Sequence, residues 1–152
     1  MNITFRVLWF EDEISWRPSS ERKMKEIIEK HNLHPEIIWK KGDENDSEDE
    51  LKKDYDLILM DYELRGTTGN VLIKRLRQLD IYTDVLFYSG NIEKMIKALY
   101  NVNKNNDSIE PVDGIYFSDR KREELYPKLQ KVVDKIVRRM QDIVSLRGVV
   151  LD

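Results

Sequence analysis

Three short apolar runs in the chain each lead into a polar side chain that could take part in chemistry. Glu11 and Asp12 follow the first run, Asp61 ends the second, and Ser89 follows the third. Carboxylates that converge repel one another, and a divalent cation would relieve the repulsion. Magnesium is the natural candidate, because it prefers oxygen ligands and is usually held by one or two carboxylates together with phosphate oxygens. These residue types predict a magnesium site built from Glu11, Asp12 and Asp61.

A carboxylate beside a bound magnesium ion could also accept a phosphoryl group. Attack by Asp61 on phosphorus would give an acyl phosphate, a reaction that needs charge neutralisation and in-line positioning more than an activating base. The chain contains no cysteine, which excludes disulfides, thiolate metal sites and cysteine nucleophiles. The predicted chemistry is therefore phosphoryl transfer to a carboxylate oxygen.

The elements that must position these side chains alternate between strand and helix. Short apolar runs predict strands at residues 7–10, 36–39, 56–61, 84–88 and 114–117, each followed by a helical pattern. That alternation predicts an α/β fold with a doubly wound, five-stranded parallel sheet in the flavodoxin-like order 2-1-3-4-5. Ligands of such sheets bind beyond the carboxyl ends of the strands, at the switch point between strands one and three. Those two strands lead into Glu11-Asp12 and Asp61.

The composition predicts a single folded domain. The 152 residues are 40% hydrophobic and 36% charged, which suits one core with a heavily solvated surface. The net charge of −3 lacks the basic excess of a nucleic-acid-binding module, so we expect no nucleic-acid partner. No apolar run approaches the roughly 20 residues that span a bilayer, and the N-terminus lacks a signal core. We therefore expect no membrane association and a cytoplasmic location.

The polar stretches predict where the elements and the domain end. An acidic stretch at residues 43–50 contains Ser47-Glu48-Asp49-Glu50, a capping pattern that opens a short helix, and a long polar connection at residues 101–113 precedes the fifth strand. Gly148 is placed to end the last helix, so we expect the domain to cover residues 1–148. The apolar tail at 149–152 leaves open that the chain was cut from a longer one.

Taken together, three stretches resemble the receiver domain of bacterial response regulators, the CheY-like family, across roughly the whole chain. They are residues 7–13, residues 56–61 with the following Leu64, Gly66 and Gly69, and residues 86–90. The resemblance implies a chain that takes a phosphoryl group from a histidine kinase or phosphotransfer protein and then changes its affinity for a downstream protein. It implies no conventional enzyme, only self-phosphorylation from a phosphodonor and autodephosphorylation. A homodimer is left open.

The resemblance also implies a role for each site residue. Asp61 would be the phosphoacceptor, and the hydroxyl of Ser89 would contact the phosphoryl group. Magnesium would be bound by Asp12 directly, by Glu11 through water, by Asp61, and by the backbone carbonyl of Glu63. The Glu63 side chain could affect water access to the phosphate.

The fifth strand departs from the family, where a Lys-Pro pair follows the strand and the lysine pairs with the phosphoryl oxygens. Counting along the strand puts Ser118 at the lysine position, so Arg120 or Lys121 must substitute from a shifted loop, or the cation is absent. The same count puts Ile115 where an aromatic switch residue usually stands, with Tyr116 on the opposite face. Whether phosphorylation switches the conformation is left open by this count.

Two other functions stay open at this point. Ser118 and Ile115 would suit a degenerate receiver that acts as a phosphorylation-independent interaction module. A Toprim-like, magnesium-dependent nucleic-acid enzyme also pairs a Glu after one strand with an Asp-x-Asp-like motif, here Glu11 and Asp61-Tyr62-Glu63, although it leaves Asp12 and Ser89 unexplained.

The connection at residues 14–18 is longer than usual for the receiver family and is expected to overhang the site.

Overall fold

The computed structural model describes residues 3–42, 47–104 and 114–146. In chain order the elements are β1 (Thr4–Phe10), a 3-10 turn (Ile14–Trp16), α1 (Arg17–Glu29), β2 (His34–Lys40), α2 (Glu48–Leu51), β3 (Leu57–Asp61), β4 (Glu63–Leu64), β5 (Thr67–Thr68), α3 (Gly69–Gln78), β6 (Val85–Ser89), α4 (Ile92–Lys104), β7 (Ile115–Asp119) and α5 (Arg122–Leu146). Within the described part of the chain, no helix combines the length and apolarity needed to cross a bilayer.

Five parallel strands form the main sheet in the order β2-β1-β3-β6-β7. Leaving aside the two-residue strands β4 and β5, this is the order 2-1-3-4-5, so the predicted fold is confirmed. Neighbouring parallel strands need crossover connections, and the helices provide them. The carboxyl ends of β1 and β3 therefore meet at the same edge of the sheet.

Helices cover both faces of the sheet, which explains why its middle strands are apolar throughout. In β1, Leu8 and Phe10 join the apolar cluster that includes α3 and α4, while Val7 and Trp9 join the cluster that includes α1 and α5. Every residue of β3 and β6 is buried. Strands buried on both faces have continuous apolar runs rather than alternating ones. Such strands are rigid supports for the polar residues at their ends.

The structure differs from the sequence-based prediction in several places. The loop predicted after Asp61 contains a short antiparallel hairpin of β4 and β5, with Gly66 at φ +82° in its turn. β2 begins earlier than predicted and includes Pro35, which an edge strand tolerates because one of its sides needs no ladder hydrogen bonds. α4 continues to Lys104, so the first residues of the predicted polar connection are helical.

Several expectations fall on residues whose structure is not described. These are residues 43–46 of the acidic stretch, residues 105–113 of the polar connection, and residues 147–152 with Gly148 and the apolar tail. The described part of the acidic stretch behaves as predicted, because the Ser47 side chain accepts a hydrogen bond from the Glu50 N–H at 3.2 Å and caps α2.

Candidate functional site

Three carboxylates meet at the carboxyl ends of β1 and β3. One carboxylate oxygen from each of Glu11, Asp12 and Asp61 lies within 4.8 Å of the others. The strand register explains the meeting, since Phe10 pairs with Met60 and the next residue of each strand is acidic. Glu11 and Asp61 are buried, and Asp12 is half-buried. The predicted acidic cluster is thus assembled by the pairing of two neighbouring strands.

Backbone contacts hold these carboxylates in place. The Glu11 N–H donates to Lys40 O at 2.9 Å, which ties the end of β1 to β2. The Glu63 N–H donates to Asp61 Oδ1 at 3.2 Å, so the start of the hairpin supports the carboxylate directly. A Cβ atom on Gly69 would lie 2.5 Å from the backbone oxygen of Asp61, so the first residue of α3 has room for glycine alone. The hairpin and α3 are therefore packed tightly against the acidic cluster.

Arg120 supplies a cation to the cluster. Its Nη1 lies 2.5 Å from Asp61 Oδ2, and its Nη2 lies 2.5 Å from Glu11 Oε1 and 2.9 Å from Glu13 Oε2. The arginine is positioned by its backbone, because the Arg120 N–H donates to Ser89 O at 3.0 Å just beyond the end of β7. The guanidinium thus joins the ends of three strands.

Two other residues of this stretch lie elsewhere, namely Ser118, which the count put at the lysine position, and Lys121, the other possible substitute. Ser118 is inside β7, paired with Tyr88, and its hydroxyl donates to the backbone oxygen of Asp119 at 2.9 Å. Lys121 is exposed, and its backbone N–H donates to Asp119 Oδ1 at 2.8 Å. Of the candidates named from the sequence, Arg120 is therefore the one that the structure brings to Asp61.

Burial raises the pKa values of the two inner carboxyl groups. The pKa of Glu11 is raised to about 9, chiefly because burial penalises its charged form and then because Asp61 hydrogen-bonds to it and repels it. Burial also raises the pKa of Asp61, while Glu11, Arg120 and the Glu63 N–H oppose the rise. Without a further cation, the two carboxyl groups therefore favour holding a proton between them.

Ser89 and Glu63 occupy different environments. Ser89 is buried at the carboxyl end of β6, and its Oγ accepts a hydrogen bond from the Asn91 N–H at 2.9 Å, which caps the turn into α4. Asp61 pairs with Tyr88, so Ser89 stands one residue further along the neighbouring strand. The side chain of Glu63 is exposed at the start of β4. Ser89 is therefore next to the cluster in the sheet, whereas the Glu63 side chain points into solvent.

The connection between β1 and α1, of which residues 14–18 were expected to overhang the site, places Glu13, Trp16 and Arg17 beside the cluster. Trp16 packs edge-on against Trp9, with ring centres 5.8 Å apart, and its ring also lies 5.2 Å from the Arg120 guanidinium carbon. Arg17 Nη2 donates to Glu11 O at 2.6 Å. The signal in the sequence was their position. Glu13 and Trp16 follow the acidic pair at the end of β1 within a few residues, so their side chains had to lie near it.

The donor set fits a hard divalent cation. All three converging groups are carboxylates, the ligand type that Mg²⁺ and Mn²⁺ take from proteins. Glu11 Oε2 is buried, and no donor group among the described residues hydrogen-bonds to it, so either a proton shared with Asp61 or a further ligand has to satisfy this oxygen. Arg120 alone does not balance three carboxylates. A metal ion that displaces the shared proton would therefore find both a buried oxygen and a surplus of carboxylates in the cluster.

Comparisons with known proteins give structural matches only. No protein-family model matches the chain, and no curated protein matches it. The receiver domain of the Francisella response regulator 1452 is 19% identical, with a TM-score of 0.55, over 90% of this chain and 99% of that one. A two-component response regulator from Clostridium difficile is 17% identical, with a TM-score of 0.58, over 90% and 98% of the two chains.

A third solved structure is the Mn²⁺-bound form of response regulator Rcp1. It is 18% identical to this chain, with a TM-score of 0.56, and the match covers 84% of this chain and 91% of that one. At these identities the likeness concerns the fold. The chain therefore folds as response-regulator receiver domains do, as the sequence resemblance predicted.

Proposed function

We propose that this chain is a two-component receiver in which Asp61 accepts a phosphoryl group from a phosphohistidine or a small phosphodonor. One observation carries the proposal. Asp61 is buried at the end of β3, within 4.8 Å of two further carboxylates and 2.5 Å from an arginine that can neutralise phosphoryl oxygens. Buried carboxylates with raised pKa values that gather at one strand edge, at the switch point of an α/β sheet, support a functional site there.

Each site residue has its own role in the proposed phosphoryl transfer. An oxygen of Asp61 supplies the electron pair that forms the new O–P bond. The P–N bond of the phosphohistidine breaks, its electrons stay on the imidazole, and the imidazole takes up a proton from solvent. Asp12, Asp61, Glu11 through water and the backbone carbonyl of Glu63 would hold Mg²⁺. When bound, that ion supplies charge neutralisation for the phosphoryl oxygens.

Arg120 takes the part that the family assigns to a lysine. Its planar guanidinium can donate two parallel hydrogen bonds to a phosphoryl group, which a lysine ammonium cannot do. Arg120 stands three residues after Phe117, the same spacing as between Ile115 and Ser118 in the count from the sequence. We therefore propose Phe117 and Arg120, rather than Ile115 and Ser118, for the aromatic and cationic positions. The ring centre of Phe117 lies 6.4 Å from that of Phe87 in β6.

The proposed partners follow from the same fold. A histidine kinase or phosphotransfer protein would donate the phosphoryl group, a downstream protein would bind the phosphorylated form, and the cytoplasm would be the location. The phosphodonor has to approach the carboxyl edge of the sheet, because Asp61 is the last residue of β3. Ser89, beside Asp61 on β6, would contact the transferred group through its hydroxyl.

Binding of magnesium and beryllofluoride, a stable mimic of the aspartyl phosphate, tests the proposal. We expect a bound-fluorine signal in the ¹⁹F NMR spectrum of the wild-type chain that requires both magnesium and Asp61. The variant Asp61→Asn should lose the signal, whereas Asp54→Asn, an exposed carboxylate at the other end of the sheet, should keep it. Absence of the signal from the wild-type chain would contradict the proposal and favour a degenerate receiver that binds partners without phosphorylation.

A further inference from the structure

The guanidinium of Arg120 is shared between an inner and an outer set of partners. The inner set is Asp61 and Glu11, both buried, at 2.5 Å each. The outer set is Glu13, whose side chain is 62% exposed and lies 2.9 Å away, and the ring of Trp16, 5.2 Å from the guanidinium carbon. Both outer residues belong to the connection between β1 and α1.

The inner contacts conflict with the proposed metal site. Glu11 Oε1 and Asp61 Oδ2 belong to two of the three carboxylates that would bind a divalent cation. A guanidinium and a metal ion on the same pair of carboxylates repel each other strongly, because the site is partly shielded from water. Metal binding therefore requires Arg120 to give up part of its inner contacts.

The outer partners can bind the guanidinium when it leaves its inner partners. Glu13 supplies a negative charge and Trp16 a π face, and the two together can stabilise a cation at the edge of the site. Arg120 Nη2 already contacts Glu13 and Glu11 at the same time, so a small rotation is enough to exchange one for the other. The side chain of Arg120 is 25% exposed, which leaves room for such a movement.

We infer that Glu13 and Trp16 are positioning residues that hold Arg120 away from Glu11 when a divalent cation binds, so that the metal and the arginine can be present together. The inference rests on the proposed function, because it concerns the same metal site. It assigns the long β1–α1 connection a role in setting the metal affinity. It also implies that metal binding changes the surroundings of the Trp16 ring, because Arg120 moves towards it.

Metal affinity of a set of variants tests this inference directly. Calorimetric titration with Mn²⁺ or Mg²⁺ measures binding without phosphorylation or a tryptophan signal. We expect Arg120→Gln to bind the metal about tenfold more tightly, because the competing cation is gone. We expect Glu13→Gln to bind it about fivefold more weakly, because Arg120 then stays on the inner carboxylates.

The double variant separates positioning from simple attraction between Glu13 and the metal. If Glu13 acts through Arg120, Glu13→Gln should change the affinity by less than about twofold in the Arg120→Gln background. Glu123→Gln is the matched control, since Glu123 is exposed and lines the same surface recess as Arg120 and Trp16 without forming an ion pair with Arg120 among the described residues. Its effect should be small and equal in both backgrounds.

Tryptophan emission tests the part of the inference that concerns Trp16. Addition of Mg²⁺ should change the emission of the wild-type chain and of Trp39→Phe, and the change should be lost in Trp16→Phe. An equal effect of Glu13→Gln in both backgrounds, or a metal response unaltered by Trp16→Phe, would overturn the inference while leaving the proposed function intact. Absence of metal binding in all variants, Arg120→Gln included, would overturn both.

Discussion

Buried and half-buried carboxylates lie at both ends of the sheet, and they are partnered differently at the two ends. At the amino end, Asp84 Oδ2 lies 2.6 Å from Arg139 Nη2, and Asp56 Oδ2 accepts the Arg6 N–H at 2.8 Å. Each of these two carboxylates has a donor of its own. At the carboxyl end, Glu11, Asp12 and Asp61 crowd together, and Arg120 is shared between two of them and Glu13.

The difference indicates which end maintains the fold and which is kept for chemistry. A buried carboxylate with its own partner is satisfied, and its removal leaves that partner without one. Carboxylates in surplus repel one another and destabilise the folded chain until a ligand arrives. Natural proteins keep such local conflicts mainly at functional sites. A local loss of stability at the carboxyl end therefore fits the proposed function.

The largest effect is expected from a change in the packing of the acidic end. Gly69→Ala would place a Cβ atom 2.5 Å from the backbone oxygen of Asp61 and 2.6 Å from the Phe87 ring, and backbone cannot move aside cheaply. We expect the free energy of unfolding to fall by about 3 kcal/mol in urea denaturation. Gly90→Ala is the control, because a Cβ atom at that position meets nothing within 4 Å. Equal stabilities of the two variants would contradict this packing.

Neutralising one carboxylate at each end should move stability in opposite directions. Without metal at pH 8, Glu11→Gln should raise the free energy of unfolding by about 1 kcal/mol, because a neutral amide removes the cost of protonating Glu11 when the chain folds. Asp84→Asn should lower it by about 1 kcal/mol, a modest loss because the side chain of Arg139 is 51% exposed. Chemical denaturation in the presence of a chelator measures both. A loss of stability in both variants would remove the contrast between the two ends.

The pH dependence of stability should have a definite sign. The pKa of Glu11 is about 9 in the folded chain, above its ordinary value of 4.5, so the folded chain keeps a proton that the unfolded chain releases. The resulting stabilisation is fully present below the unfolded pKa and is lost as the pH rises through the folded pKa. In a chelator, the Tm should therefore fall between about pH 5 and pH 9, and Glu11→Gln should flatten the fall. A Tm profile identical in the variant would contradict the raised pKa.

Most of the fold could be predicted from the sequence because the middle strands are buried on both faces. Continuous apolar runs identified β1, β3 and β6, and the alternation with helices indicated the sheet order. The hairpin of β4 and β5 was missed, since strands of two residues give no periodic pattern. The start of β2 was placed too late because Pro35 argues against a strand, whereas the edge position tolerates it.

The acidic half of the site was predictable, whereas for the cationic half the sequence left open Arg120, Lys121 or no cation. Carboxylates directly after neighbouring strands must converge, which holds for Glu11 and Asp61 whatever the details of packing. The cation depends on where β7 ends. Its apolar run stops at Phe117, but backbone pairing continues through Ser118 and Asp119, so Arg120 is the residue that emerges beside the cluster. Pairing of this kind is decided by the neighbouring strand rather than by local residue types.

Phosphorylation of Asp61 itself tests the central claim most directly. The chain is incubated with magnesium and phosphoramidate, and the intact mass and the modified residue are determined by mass spectrometry. We predict a gain of one phosphoryl group, stable in acid and labile in base, that maps to Asp61 and is absent from Asp61→Asn. An unmodified wild-type chain under these conditions, or a phosphoryl group on another residue, would contradict the assignment of Asp61 as the acceptor.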